Sequence, residues 1–277
     1  MTDEKTSDCI EIRAGWAERD YVSDLWRFRE LFFFLAWRDI QARYKQTAIG
    51  VAWSLIKPIV TMIVFSVIFG RLARLPAGEL PYPVLVFAAL LPWQFFANAL
   101  AATSESLLGN AQLITKVYFP RLIIPVSSVI VGLVDFLLSF LVFLCLLAWY
   151  AYLPPLRVCF MPLFLLLGFV NALGFGVWFA ALNVRYRDFR HLIPFVIQIG
   201  LYISPVGFSS AVIPEEWRLL YCLNPMTGVI DGFRWCLQPQ ATLYWPGLCL
   251  ATVAGLLVLV SGMTNFRRLE RSFADEI

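Results

Sequence analysis

Charge is what this sequence most lacks: Asp, Glu, Lys and Arg make up 15% of its 277 residues, and there is one histidine, His191. So few ionisable groups leave little from which to build a hydrolytic or redox centre. No Gly-x-x-x-x-Gly-Lys-Ser/Thr run occurs, which excludes nucleotide binding through a P-loop. His-Glu-x-x-His and Gly-x-Ser-x-Gly are absent too, so neither a zinc-peptidase helix nor a nucleophile elbow is written into the chain. Of six cysteines, no two stand in Cys-x-x-Cys spacing, and neither a zinc site nor a redox motif is indicated. A net charge of +3 is too small to point to nucleic acid. These absences favour a conduit over a catalyst.

What is present is apolar length. Hydrophobic residues are 60% of the chain and aromatics 16%. Six long runs occupy residues 51–69, 82–103, 122–152, 158–184, 192–210 and 243–264. Each approaches or exceeds the ~20 residues with which an α-helix crosses a ~30 Å hydrocarbon core. Backbone polar groups in lipid must be satisfied within the segment, so such runs read as spanning helices. The predicted class is all-α and integral to a membrane, with no room for a second folded domain. Residues 1–23 and 266–277 are expected to be tails and 48–265 the transmembrane domain.

An even number of spans puts both termini on one side. Sixteen basic residues then fall on that side and five on the other, with Lys57 inside the first run. The positive-inside rule makes both ends cytoplasmic. The first fifty residues are charged and lack a short apolar core with a cleavage site, so no signal peptide is expected.

Four segments carry more specific signals. In residues 24–47, Arg27, Glu30, Arg38, Gln41 and Lys45 share a helical stripe, and Leu25, Phe28, Phe32, Leu35 and Ala36 gather opposite. Asp39 and Arg43 interrupt the apolar face. A basic, aromatic-rich helix ahead of a span is expected to lie in the membrane interface. In the first inside loop, 110–115 predicts a short helix that Asn110 caps. The third run, as a 31-residue helix, would rise ~46 Å and contains Asp135. Lacking titratable neighbours for a proton relay, Asp135 is expected to hydrogen-bond within the bundle, to Asn171 or Ser139. Finally, residues 211–242 predict two short outer helices, 215–223 and 225–237. The first has acids in its opening turn, and Asn224-Pro225 restarts the second. Neither can span, so together they read as a re-entrant hairpin facing a cavity, with Trp217, Tyr221, Phe233 and Trp235 as stacking surfaces for sugars. Cys222 and Cys236 both fall on the outer side, and whether they bond is open.

Several stretches, in order between matching spans, resemble one family. They are Leu25-Trp26, Arg29-Glu30-Leu31, Trp37-Arg38-Asp39-Ile40, Arg43-Tyr44-Lys45-Gln46-Thr47 and Gly50, then Tyr118-Phe119-Pro120-Arg121, Val184-Arg185-Tyr186-Arg187-Asp188, Tyr202-Ile203-Ser204-Pro205-Val206, Asn224-Pro225-Met226, Gly228 and Gly232-Phe233-Arg234-Trp235. Together they resemble bacterial type-2 ABC exporter permeases for lipid-linked polysaccharide. The resemblance implies six spans, an N-terminal interfacial helix and two short periplasmic gate helices before the last span. It also implies a homodimer in the bacterial inner membrane, served by two copies of a separate P-loop ATPase that hold the ATP and Mg. No cofactor or metal is implied for this chain. Asn110, Gln112, Leu113, Ile114, Thr115 and Lys116 would form the ATPase-coupling helix, with Arg185, Arg187 and Arg190 a second inside contact. Arg38, Arg43, Lys45 and Lys57 would meet the lipid pyrophosphate, and the four outer aromatics would gate the glycan path. The implied cargo is polyprenyl-pyrophosphate-linked polysaccharide, O-antigen foremost. A permease for a drug or haem, or a membrane enzyme acting on lipid-linked sugars, are the alternatives.

Overall fold

The structure, a computed structural model, describes residues 26–45, 48–76, 80–186, 188–270 and 273. The tail before residue 24, Gln46, Thr47, Arg187 and nearly all of the C-terminal tail after Glu270 lie outside them. Every regular element among the described residues is helical. In chain order these are α1 (Arg29–Lys45), α2 (Ala48–Phe65), α3 (Tyr82–Gly109), α4 (Ala111–Lys116), α5 (Ile123–Trp149), α6 (Met161–Arg185), α7 (Phe189–Ile203), α8 (Glu215–Tyr221), α9 (Pro225–Leu237) and α10 (Trp245–Leu269). A π-helical stretch, Ser66–Leu72, continues α2, and a 3-10 turn, Leu156–Phe160, leads into α6.

Proline begins four of these helices: α3, α6, α9 and α10 each carry one in the first turn. Its missing N–H costs nothing there, because the first amides of a helix have no internal partner anyway. α5 spans 27 residues rather than 31. It stops where Ala151 adopts a positive φ of 49°, letting the Tyr152 N–H donate back to the Leu147 carbonyl at 3.0 Å.

Among the described residues, five helices are long and apolar enough to cross a membrane. The run at 192–210 is different, because its helix α7 has 15 residues, a rise of ~22 Å. Pro205 explains the stop. A proline drives the residue before it out of the helical region, and Ser204 is extended at ψ 151°.

The bundle is built around α3 and α6. α3 packs against both α5 and α6, and α10 covers the other side of α6. α3 is buried along most of its apolar stretch, whereas α2 and α10 turn most of theirs outward. Close approach of α6 and α10 depends on missing side chains: a Cβ on Gly174 would sit 2.9 Å from the Leu259 backbone, and one on Gly262 would sit 2.6 Å from the Gly174 carbonyl oxygen. α9 enters the core across α3, α6 and α10, and α1 lies against α5 and α2. α4 and α8 thus mark opposite ends of the bundle.

Candidate functional site

At the α4 end, α1, α3 and α5 meet around a cleft of ≈ 430 Å³ lined by Asp39, Arg43, Glu105, Ser106, Asn110 and Ser128, among others. Asp135, one of the few carboxylates on a spanning helix, sits beside it. It is not bonded to Asn171 or Ser139, as the sequence suggested. Arg43 donates to it at 2.6 Å, and the Tyr44 hydroxyl donates to its other oxygen. An acid at this depth is costly unless a cation or donor faces it, and α1 brings both from residues adjacent in sequence. Arg43, which interrupts the apolar stripe of α1, thus enters the bundle as the partner of Asp135. The side of α1 that packs inward is Leu35 and Ala36, as read from the stripe. Trp26, Phe33, Phe34 and Trp37 point outward and form a second apolar face, so the helix is not simply two-sided.

Arg38 bonds to Asp39 at 2.7 Å and also to Asn110 Oδ1 at 2.7 Å. Asn110 does not cap α4 with its side chain. Its amide is taken by Arg38 and, at 2.8 Å, by the Ser106 carbonyl. The residue is a pin between α1 and the start of α4. On α4 itself, Ile114 is buried, Leu113 is half-buried, and Gln112, Thr115 and Lys116 are exposed. One apolar anchor therefore leaves a three-residue polar face free. Arg190 pairs with Glu105, near the end of α3, at 3.4 Å, and Arg185 lies over the Tyr186 ring at 5.5 Å. Of the four basic residues expected at a pyrophosphate, Arg38 and Arg43 already have acidic partners. Lys45 and Lys57 are exposed and form no ion pair among the described residues.

At the α8 end the chain is broken between α7 and α8, and its carbonyls are bonded by side chains from three other segments. The Arg234 guanidinium donates to the Phe208 carbonyl at 2.6 Å, to that of Val206 at 2.9 Å and to that of Leu85 at 3.4 Å. Tyr82 donates to the Gly207 carbonyl at 2.6 Å, and the Tyr221 hydroxyl donates to that of Ile203. The Asn224 amide reaches Ser204 Oγ at 2.9 Å, while its oxygen caps α9 by accepting from Met226 N–H. Non-helical backbone in an apolar setting survives only where protein satisfies it, and this cluster does so. Sequence reasoning missed Arg234 and Tyr82 here. The signal was available: an arginine in the middle of an apolar helix, downstream of a Ser-Pro break whose carbonyls need donors.

The two short helices expected at 215–223 and 225–237 form, as Glu215–Tyr221 and Pro225–Leu237, but their four aromatics divide. Trp217 is 60% exposed. Tyr221 is half-buried and holds Ile203 through its hydroxyl. Trp235 is half-buried against Phe160 and Phe164, with the Arg157 guanidinium 4.9 Å above its ring. Phe233 is fully buried against Phe136 and is a core residue within this chain. Its ring meets that of Phe136 on α5 edge-on, with the centroids 6.2 Å apart. Cys222 and Cys236 are both buried and unbonded.

Comparison with known proteins fits this architecture. The profile of the ABC-2 type transporter family matches residues 30–237. The chain is 29% identical over 247 residues to the O-antigen export system permease protein RfbA of Klebsiella pneumoniae, covering 89% of this chain and 94% of that protein. It is 27% identical over 263 residues to RfbA of Myxococcus xanthus, covering 92% and 98%. Similarity extends to the polysialic acid transport protein KpsM of Escherichia coli, at 20% over 240 residues, covering 85% and 92%. A family match over most of the chain, together with an all-helical fold whose long apolar helices suit a membrane, places this protein in the ABC-2 type transporter family as a multi-pass membrane protein.

Proposed function

We propose that this chain is the channel-forming permease subunit of an ATP-driven exporter moving polyprenyl-pyrophosphate-linked polysaccharide, O-antigen above all, across a bacterial inner membrane. The observation that carries the reading is end-to-end similarity to O-antigen export permeases, covering 94% and 98% of two of them. Two copies of the chain face each other, and two separate ATPase subunits supply ATP hydrolysis with their own Mg. Both termini lie in the cytoplasm, in keeping with sixteen basic residues on that side against five on the other. The α4 end is then inside and the α8 end outside. α7 with the side-chain-bonded stretch after it completes a sixth, broken crossing, and α8 and α9 form the outer gate.

In this reading the ATPase docks on Gln112, Thr115 and Lys116, with Arg185, Arg187 and Arg190 of the next inside loop as a second contact. Movement of α4 reaches α1 through Arg38 and Asn110, and reaches α3 directly. Docking that favours one packing of these helices shifts the whole subunit between inward-open and outward-open arrangements. Lys45 and Lys57 take the lipid pyrophosphate, because Arg38 and Arg43 are already paired. Trp217 is the aromatic best placed to meet a passing sugar.

The test is genetic and biochemical together. Deleting the gene removes surface polysaccharide while lipid-linked polymer accumulates inside the cell, and the intact gene restores export. Normal surface polysaccharide after deletion overturns the cargo. Replacing Gln112, Thr115 and Lys116 together with glutamates separates the ATPase from the permease during copurification; equal recovery overturns the docking face.

A further inference from the structure

A groove of ≈ 730 Å³ opens at the α8 end between the last turns of α2, the start of α3 and the end of α5. Its size is that of a small-molecule or lipid site. One wall is apolar, made by Met62, Ile63, Val67 and Leu146, and Trp149 and Tyr150 close the α5 side. Ser66 and Arg71 line the same groove although they are five residues apart. In an α-helix that spacing turns two side chains well away from each other. The π-helical stretch Ser66–Leu72, with the Ala73 N–H donating to the Ile68 carbonyl at 2.8 Å, brings them to one face instead.

Among the described residues both polar groups are unanswered. Ser66 Oγ is buried without a hydrogen-bond partner among the described residues. A buried hydroxyl in that state favours an acceptor from outside the chain. Arg71 is exposed and forms no ion pair among the described residues. Tyr82 also lines the groove, but its hydroxyl is committed to the Gly207 carbonyl, so only its ring is offered. Trp149 at 85% exposure, with Leu153 and Leu156 at 90%, gives this end an aromatic and apolar lip of the kind that sits at a membrane surface. A cation above a buried hydroxyl above an apolar wall has the polarity sequence of an amphiphile with an anionic head.

We propose that the groove holds one phospholipid with an anionic headgroup. Its phosphate sits on the Arg71 guanidinium, Ser66 turns about χ1 to donate to an ester oxygen, and one acyl chain runs along Met62, Ile63, Val67 and Leu146. The occupant touches the Tyr82 ring, and Tyr82 also bonds the broken stretch after α7, so the lipid braces the α8 end. This rests only on the helices crossing a membrane and is independent of the cargo.

The test uses the full chain, with its ATPase if the two copurify, in nanodiscs of phosphatidylcholine. A photoactivatable phosphatidylglycerol is titrated in, and the labelled peptides are mapped. Labelling concentrated in 62–71 and 146–150, and competed by unlabelled phosphatidylglycerol about fivefold better than by phosphatidylcholine, is expected. Arg71→Gln should abolish that preference, while Arg74→Gln, outside the groove, should keep it. Labelling spread over other helices overturns the proposal. So does an unchanged preference in a folded R71Q protein. Competition by polyprenyl phosphate but not by phosphatidylglycerol overturns it as well, by giving the groove to the cargo lipid. The labelling map is read on the unaltered chain, so the outcome does not depend on any variant folding.

Discussion

α1 and α9 each carry an arginine that ties the helix to distant parts of the chain, but they are held in opposite ways. Arg234 on α9 is 4% exposed and hydrogen-bonds to three backbone carbonyls, from α3 and from the break after α7. Two glycines let α9 settle deeply: a Cβ on Gly228 would lie 2.8 Å from the Ala251 Cβ, and one on Gly232 would strike the Phe164 ring. Arg43 on α1 has a side chain 42% exposed and bonds to one carboxylate. α1 buries only Leu35 and Ala36 fully and keeps Phe33, Phe34 and Trp37 outside. Moving α9 orphans several buried groups at once, whereas moving α1 orphans a single buried carboxylate, Asp135, and returns an already half-exposed arginine to water. A fixed cover at one end and a movable lever at the other follow from burial, not from the arginines themselves.

The largest expected effect lies at Arg234. Arg234→Met leaves at least two short-bonded carbonyls without donors in a buried place, and should cost about 3–5 kcal/mol. The measurement is thermal unfolding in detergent alongside membrane abundance. A protein as stable as the parent would remove the distinction between cover and lever. Next comes Gly228→Val, which overpacks the seam with α10 and should cost about 1–3 kcal/mol in the same unfolding assay.

On the lever, a double-mutant cycle over Arg43→Gln and Asp135→Asn should give a coupling of about 1–2 kcal/mol, because one partner is half in water. Each single variant should stay folded and lower polymer export more than it lowers stability. A coupling as large as the loss at Arg234 would mean that α1 is as fixed as α9. The smallest effect is expected for Glu105→Gln, which breaks an exposed pair with Arg190 and should change stability by less than about 1 kcal/mol. A larger loss would show that the start of α7 is held more tightly than its exposure indicates.

Much of this protein is legible in the order of its residues. Six apolar runs, the interfacial stripe and the prolines at helix starts are local patterns, because the period of a helix and the geometry of proline act over a few residues. Asn224-Pro225 restarted a helix as read, since a cap is decided by its immediate neighbours. Even the shortness of α7 was written in Pro205. Tertiary structure alone decided which polar groups meet. Asp135 finds Arg43 across 92 residues, and Arg234 finds Leu85 across 149. Asn110 becomes a pin for Arg38 rather than a cap for α4. Phe233 and Trp217 looked alike in sequence, yet packing makes one core and leaves the other exposed. A residue type sets which bonds a side chain is able to make. In an interior where an unmet donor or charge is costly, the neighbours that folding supplies select the one that forms.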